Sequence, residues 1–191
     1  YGDRSAGVRG AGRAGEGVGV GKGERGGIYR QMVAERAMAM VGGGRIGAVC
    51  SSDLGAFSAD SLVSRINDSA CKLLITQDTG VRGTRSDIPM KVNADVAVTQ
   101  TPSVEHILVV RRTGGAVAME AGRDIWWHDA LGAAGTECAP EAMDAEDPLF
   151  IPSTSGSTGK PKGVLHPTGA HLGQVPTTHP HTAAYPEPDV H

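Results

Sequence analysis

Aromatic residues and cysteines are scarce in this sequence, and each shortage limits the kind of protein it can encode. Aromatic side chains make up only 4% of the 191 residues, so the core must be built mainly from smaller side chains and is expected to be thin. The cysteines are three, an odd number, and are widely spaced without CxxC pairs: Cys50, Cys71 and Cys138. This pattern excludes a disulfide framework and indicates reduced, buried thiols in a cytoplasmic protein.

The chain also lacks a strong net charge and a long apolar run. The formal net charge is -3 and the isoelectric point is about 6.2, so no overall field would attract nucleic acid or an anionic membrane. No apolar run approaches the roughly 20 residues needed to cross a bilayer, and no basic-then-apolar leader opens the chain. We therefore expect neither nucleic acid nor a membrane as a partner. The first residue, Tyr1, indicates a partial chain, and no pattern indicates an oligomeric state.

Glycine, by contrast, is abundant: its 28 residues are about twice the usual share of roughly 7%. Residues 1–27 alternate glycine with small and basic residues, and each glycine costs a helix about 1 kcal/mol relative to alanine. We predict that this segment is flexible. Residues 176–191 are rich in proline and histidine, which predicts an irregular tail. The folded domain is therefore predicted to span residues 28–175.

The segment between these ends alternates strand-like and helix-like patterns. Continuous aliphatic runs, typical of buried parallel strands, are KLLITQD and HILVVRR, and shorter runs are IYRQM and LFI. Helical spacing is clearest over residues 58–70, and residues 121–135 also predict a helix. VAERAMAMVGGGRIGAV begins with helical spacing that Gly42, Gly43 and Gly44 interrupt. Right-handed crossovers between such strands predict an α/β fold with an open, mostly parallel sheet and flanking helices.

A loop of glycine, hydroxyl and lysine residues directly follows the strand LFI. It reads TSGSTGKPKG from Thr154 to Gly163. Its glycines let the backbone turn N–H groups inward as a nest for an oxyanion, while its hydroxyls add donors and Lys160 and Lys162 supply countercharge. Ligand loops of open parallel sheets emerge at the carboxyl ends of strands, where this loop lies. The pattern predicts a phosphate-binding loop, with a flexible linker as the alternative.

This loop differs from the common nucleotide-binding pattern GxxxxGK[ST]. Pro161 follows Lys160 where that pattern has a hydroxyl that holds magnesium, and no glycine stands at the required earlier position. A Ras-like or ATPase-type site is therefore not predicted.

The segment TSGSTGKPKGV resembles the signature loop of the AMP-forming adenylating enzymes, the superfamily of acyl-CoA synthetases, luciferases and peptide-synthetase adenylation domains. Flanking segments narrow the resemblance: VEHILVVRRTGG, GRDIWWHD, ECAPEAMDAEDPLFI and KGVLHPTGAHL are similar to the AMP-forming acetyl-CoA synthetases. The similarity covers roughly residues 22–171, with traces as far as Asp189. It implies part of the large amino-terminal domain of the adenylate-forming fold.

The resemblance implies an enzyme that couples acetate to ATP, releases pyrophosphate, and passes the acetyl group from the adenylate to coenzyme A. Both steps need stabilisation of phosphate charge, with Mg²⁺ assisting. The loop would hold the β and γ phosphates of ATP. That role is carried over to Thr154, Ser155, Gly156, Ser157, Thr158, Gly159, Lys160 and Gly163.

The resemblance also implies a contact between coenzyme A and the segment Arg82, Gly83, Thr84, Arg85, because guanidinium groups suit phosphate oxygens. Thr84 replaces a small residue of the family pattern. Asp87 looks like an insertion, and its carboxylate would repel a phosphate. A solvated loop with two arginines is the alternative.

The remaining polar motifs predict structure and not chemistry. Neighbouring helix residues point about 100° apart, so His128 and Asp129 are not expected to act as a catalytic pair. A solvated acidic connector is predicted over residues 144–147. No metal site is predicted, because the spacing of four histidines towards the carboxy terminus fits no zinc pattern; these are His166, His171, His179 and His181.

The sequence departs from the family pattern at several positions. The family has a helix at residues 4–17, an aliphatic strand at Gly26-Gly27, and an aromatic hydroxyl where Ser153 follows Pro152. These exchanges remove helix propensity, core volume or a strand hydrogen bond, so reduced stability is expected.

Parts of the family's machinery have no counterpart among these residues. The acetate pocket, the adenine and ribose motifs and the catalytic lysine would lie beyond His191, so we expect no catalytic residue in this chain and no activity from it alone. Two alternatives remain open: a non-catalytic remnant or module with weak affinity for nucleotide phosphates or coenzyme A, and a synthetase for propionyl-CoA or another short-chain acyl-CoA.

Overall fold

Strands and helices alternate along the chain. A computed structural model describes residues 2–54, 58–135, 137–154 and 162–183. The elements are α1 (Gly2–Gly17), β1 (Arg25–Arg30), α2 (Ala34–Arg45), β2 (Val49–Leu54), α3 (Ala59–Ser69), β3 (Leu73–Gln77), β4 (Gly80–Arg82), β5 (Arg85–Ile88), α4 (Met90–Val98), β6 (His106–Val110), β7 (Asp124–Trp126), α5 (Trp127–Ala133), β8 (Pro148–Thr154), β9 (Lys162–Gly163), β10 (His166–Pro167) and α6 (Thr168–Ala183). The predicted α/β class is confirmed.

Most strands belong to one sheet, in the order β10-β8-β2-β1-β3-β6-β7, with β9 paired to β8. Neighbours from β8 to β7 all run parallel, as their aliphatic runs predict. β9 and β10 run antiparallel to β8, and β4 and β5 form a separate antiparallel hairpin. The open, mostly parallel sheet is therefore confirmed.

The strand order reverses at β1, which has β2 on one side and β3 on the other. In open parallel sheets, ligands bind outside the carboxyl ends of strands beside such a reversal. We call this side of the sheet the carboxyl edge. It is formed by the last residues of β1, β2, β3, β6 and β8, which are Arg30, Leu54, Gln77, Val110 and Thr154.

Helices cover both faces of the sheet, because side chains along each buried strand alternate between two cores. On one face α1, α2 and α5 pack over Ile28, Ile75 and Leu108. On the other face α3 and α4 pack over Tyr29 and Leu74. α3 matches its predicted span and begins at Ser58, whose hydroxyl accepts a hydrogen bond from the backbone N–H of Ser61.

The glycine-rich start is not flexible as predicted: α1 is a helix of 16 residues. The reason is tertiary packing against α2, where small residues let the two backbones meet. A side chain on Gly42 would lie 2.8 Å from both the backbone nitrogen of Gly12 and the carbonyl oxygen of Val8. Burial of Ala11 against Gly42 helps to offset the low helix propensity of the glycines.

Three further elements differ from the sequence-based expectations. α2 continues through Gly42, Gly43 and Gly44 to Arg45. The predicted helix over residues 121–135 is divided into strand β7 and the shorter helix α5, because Asp124, Ile125 and Trp126 pair with β6. The helix α4 was not predicted. Two of its four buried residues, Ala94 and Ala97, are alanines, and alanines give only a weak hydrophobic pattern in a sequence.

The carboxy-terminal segment is also more regular than predicted, since α6 runs to Ala183 through Pro176 and Pro180. Proline weakens and kinks a helix without always ending it. The prediction of irregular structure from residue 176 is therefore wrong up to residue 183, and residues 184–191 lie outside the described part of the chain.

Cys50, Cys71 and Cys138 are free and buried, as predicted from their spacing. Burial also raises the pKa of the Cys50 thiol to about 12, which keeps it protonated and unreactive at neutral pH. Within the described residues, none of the helices has the length and apolar character that crossing a membrane requires.

Candidate functional site at the carboxyl edge

The predicted phosphate loop leaves the sheet at the carboxyl edge. β8 is parallel to β2, with Ser51 opposite Ile151, so its carboxyl end lies on the same side as that of β1. After the loop the chain returns as β9, antiparallel to β8, with Ser153 opposite Gly163 and Thr154 opposite Lys162. The described ends of the segment therefore form the base of a hairpin at the carboxyl edge.

The structure describes the base of this hairpin but not its tip. Thr154 and Gly163 lie in the described strands, whereas Ser155, Gly156, Ser157, Thr158, Gly159 and Lys160 lie outside the described residues. Pro152, which cannot donate to a neighbouring strand, still contributes its carbonyl, which accepts a hydrogen bond of 3.0 Å from the backbone N–H of Val164. The proline thus does not prevent the hairpin from closing.

Gly163 occupies a position that admits no side chain. A Cβ atom there would lie 2.7 Å from Ile151 Cγ2 and 3.0 Å from Asp68 Oδ2. Its backbone N–H donates to Asp68 Oδ2 at 3.3 Å, so this donor already has an acidic partner on α3. Its predicted contact with phosphate remains a prediction.

The four residues predicted to contact coenzyme A form the turn of the β4–β5 hairpin. Arg82 pairs with Arg85 across the two strands, and Gly83 adopts φ +61°, a left-handed conformation that glycine adopts without strain. Residues 81–87 are all exposed. The hairpin follows β3 directly, so its base lies at the carboxyl edge, on the opposite side of β1 from the phosphate loop.

The two arginines of this turn differ in their partners. Arg85 Nε donates to Asp87 Oδ1 at 3.1 Å, and this hydrogen bond lowers the pKa of Asp87. Among the described residues, the guanidinium of Arg82 has no hydrogen-bond or ion-pair partner. Asp87 therefore pairs with one guanidinium and leaves the other exposed.

Asp78 organises the base of the hairpin and was not singled out in the sequence. Its fully buried carboxylate accepts hydrogen bonds of 2.7 to 3.2 Å from the backbone N–H groups of Thr79, Arg112, Thr113 and Gly114. It thereby joins the start of the hairpin to the loop after β6. An aspartate directly after a buried strand, as in KLLITQD, was the available signal.

Arg30, at the end of β1, is a second buried charge that the sequence did not reveal. Its side chain is fully buried, and none of its three nitrogens has a hydrogen-bond partner among the described residues. The nearest carboxylate oxygen is Glu35 Oε2, 3.6 Å from Nη2. Burial lowers the pKa of Arg30 to about 10, partly against the attraction of Glu35, so the carboxyl edge contains a poorly compensated positive charge.

A buried ionic network joins α4 to β7, on the face of the sheet that α3 and α4 cover. Lys91 Nζ lies 2.7 Å from Asp124 Oδ2 and 2.6 Å from Asp95 Oδ1, and Arg123 contacts both carboxylates. Burial alone would raise the pKa of Asp124, but the hydrogen bonds from Arg123 and Lys91 outweigh it and lower that pKa. The network fixes the helix that follows the β4–β5 hairpin.

The predicted roles of the other polar motifs fit the structure in part. Trp127 is buried, whereas His128 and Asp129 are both exposed, with His128 Nε2 3.2 Å from Asp129 Oδ1. His166 stacks on Phe150 with ring centroids 4.6 Å apart. Asp147 is not a simple solvated residue, because its carboxylate pairs with Lys22 at 3.0 Å and accepts from the backbone N–H of Asp144.

A profile described as AMP-binding enzyme matches residues 8–190, almost the whole chain. The chain belongs to the AMP-binding enzyme family. The family assignment agrees with the parallel sheet, and with a glycine-hydroxyl hairpin at its carboxyl edge.

Curated members of the AMP-binding enzyme family are similar to this chain over most of its length. They include acetyl-coenzyme A synthetases from Nostoc linckia (53% identical, 92% of this chain and 52% of the relative), Parvibaculum lavamentivorans (51% identical, 91% and 27%) and Pseudomonas putida (55% identical, 84% and 25%). The resemblance to acetyl-CoA synthetases is thus confirmed. The chain spans about half the length of the first relative and about a quarter of the other two.

The described residues of this AMP-binding enzyme offer no cage for a resident metal ion, because no group of three or more histidine, cysteine, aspartate or glutamate side chains converges among them. Magnesium in nucleotide sites is held by one or two carboxylates together with substrate phosphates.

Proposed function

We propose that the chain carries the phosphate-binding part of an AMP-forming acetate–CoA ligase. In this reaction a carboxylate oxygen of acetate attacks the α phosphate of ATP, and pyrophosphate leaves. The thiol of coenzyme A then attacks the carbonyl of acetyl-adenylate, and AMP leaves with the electron pair of the broken bond. Mg²⁺ would accompany ATP and reduce the repulsion between its phosphates.

The observation that carries this proposal is the β8–β9 hairpin at the carboxyl edge. The antiparallel pairing of Thr154 with Lys162 brings the two ends of TSGSTGKPK together, so the seven residues between them must turn within a short distance. Glycine-rich turns of this kind direct backbone N–H groups into a shared concavity, which suits the β and γ phosphates of ATP. Lys160 would add countercharge.

The β4–β5 hairpin supports a second substrate at the same edge. β8 and β3 are separated by β2 and β1, and three strand spacings of about 4.8 Å place the two hairpins roughly 14 Å apart at the sheet. The phosphates of coenzyme A would bind Arg82 and Arg85, with Gly83 and Thr84 in the turn between them. We place the reaction in the cytoplasm, which the free, buried cysteines support.

Acetate-dependent exchange of labelled pyrophosphate into ATP tests this proposal. Exchange above that of Lys160→Ala would support the ligase, because removal of one transition-state electrostatic donor costs about 10²-fold in rate. Arg25→Ala is the matched control: it removes one positive charge at the opposite end of β1, where Arg25 is exposed. Binding of MgATP without any exchange would instead support the alternative function, a non-catalytic nucleotide-phosphate-binding module.

A further inference from the structure

A glutamine from the loop after β1 holds the base of the β4–β5 hairpin. We propose that Gln31 is a positioning residue for the arginines of that hairpin, and that it acts through the backbone of Val81. The inference rests on the proposed contact between coenzyme A and the side chains of Arg82 and Arg85. It adds the residue that fixes the orientation of the hairpin carrying those arginines.

The amide of Gln31 forms two hydrogen bonds with one residue of β4. Its Nε2 donates to the carbonyl oxygen of Val81 at 2.7 Å, and its Oε1 accepts from the backbone N–H of Val81 at 2.8 Å. Val81 lies between Gly80 and Arg82, the residues of β4 that pair with β5. The amide therefore occupies the edge of β4 that β5 leaves open, as a third strand would.

Buried groups at the end of β3 fix this amide in turn. Gln77 is fully buried, and its Nε2 donates to the carbonyl oxygen of Thr79 at 2.8 Å and contacts Gln31 Oε1 at 3.4 Å. A side chain on Gly80 would lie 3.3 Å from Gln31 Cδ, so the glycine leaves room for the amide. The side chains of two neighbouring strand ends thus hold the first residues of the hairpin.

The outer part of the hairpin has fewer constraints, so its direction depends on its base. Residues 81–87 are exposed, and the side-chain contacts described there are the Arg85–Asp87 pair and, nearer the base, the hydrogen bond from Thr79 Oγ1 to the carbonyl oxygen of Ser86. Loss of the Gln31 amide would free β4 on one side. Arg82 and Arg85 would then sample directions that do not meet one ligand together.

The test compares Gln31→Met, which keeps the length of the side chain without its amide, with the matched control Gln100→Met at an exposed position after α4. The first measurement is the rate of tryptic cleavage after Arg82 and Arg85 in the whole chain, which reports local opening without any ligand. The second is the affinity of the chain for coenzyme A, measured by titration calorimetry. Cleavage after Arg25, the exposed first residue of β1, reports opening of the chain away from the hairpin.

We expect Gln31→Met to accelerate cleavage after Arg82 and Arg85 and to weaken coenzyme A binding, each about tenfold, as the loss of two hydrogen bonds predicts. Cleavage after Arg25 should not change, and Gln31→Glu, which keeps only the acceptor, should lie between the two. Unchanged cleavage after Arg82 and Arg85 in Gln31→Met would overturn the inference. Faster cleavage in a chain whose wild type does not bind coenzyme A would retain the positioning role and refute the proposed substrate contact.

Discussion

Two kinds of buried charge occur in this molecule at the scale of single residues, and they differ in how they are compensated. Lys91 and Asp124 are paired at 2.7 Å and share further partners. Arg30 has one carboxylate at 3.6 Å and no hydrogen bond from its guanidinium among the described residues. A buried charge without partners costs free energy, whereas a paired one becomes costly when its partner is removed.

Replacement of Arg30 should therefore stabilise the fold. We expect Arg30→Met to raise the free energy of unfolding by about 1–4 kcal/mol, the range found when apolar residues replace buried ionic groups. Urea unfolding at pH 7 measures the change. The exposed control Arg25→Met should stay within about 0.5 kcal/mol of the wild type. A destabilised Arg30→Met would show that the guanidinium has a favourable partner in the folded state.

Asp124 should behave in the opposite way. Asp124→Asn leaves Lys91 with Asp95 as its remaining partner, and we expect a loss of about 3 kcal/mol at pH 7, typical of a broken buried pair. The pKa of Asp124 is lowered in the folded state. The contribution of its charge is therefore present above the unfolded pKa of about 3.9 and is lost as the pH falls through the lower folded value.

Urea unfolding of wild type and Asp124→Asn at pH 7, 5 and 3 measures this dependence. The difference in unfolding free energy should be similar at pH 7 and 5 and should shrink at pH 3. The exposed pair Arg85–Asp87 provides a control, since Asp87→Asn should cause no measurable change in stability. A difference that is equal at all three pH values would contradict a role for the ionised carboxylate.

At the scale of elements, glycine serves two purposes within one helix. In α2, a side chain on Gly42 would meet backbone atoms of α1 at 2.8 Å, whereas one on Gly44 would meet Leu149 Cδ1 at 3.6 Å, an ordinary contact distance. The first glycine is required for the close approach of two helices. The second lowers helix propensity without such a requirement.

The two alanine variants should accordingly change stability in opposite directions. Gly44→Ala should raise the free energy of unfolding by up to about 1 kcal/mol through helix propensity. Gly42→Ala should lower it by about 1–3 kcal/mol, because α1 must move away. Chemical unfolding of both variants under the same conditions measures the pair, and a gain in stability for Gly42→Ala would refute the described α1–α2 contact.

Elements with a strong local sequence signal could be predicted, whereas those that depend on tertiary packing could not. The strands β3, β6 and β8 carry continuous aliphatic runs that identify them without tertiary information. α1 could not be predicted, because its stability comes from packing against α2 and not from its own residues. The helix over residues 121–135 was divided because pairing of β7 with β6 outweighs local helical spacing.

At the scale of the whole molecule, the order of the strands brings two predicted anion sites to one edge. The phosphate loop could be predicted because its chemistry is local: glycine, hydroxyl and lysine residues directly after a strand. Gln31 and Asp78 could not, because their partners at Val81 and at residues 112–114 become neighbours only after folding. Sequence therefore identifies the groups that would contact phosphate but not those that position them.

The most direct test of the phosphate loop is calorimetric titration of the chain with MgATP, alongside Lys160→Ala and the control Arg25→Ala. The wild type and Arg25→Ala should bind MgATP with similar affinity, and Lys160→Ala should bind at least about tenfold more weakly, because it loses a charge-assisted contact. Equal affinity in all three proteins, or no binding by the wild type, would contradict the assignment of the polyphosphate of ATP to the hairpin after β8.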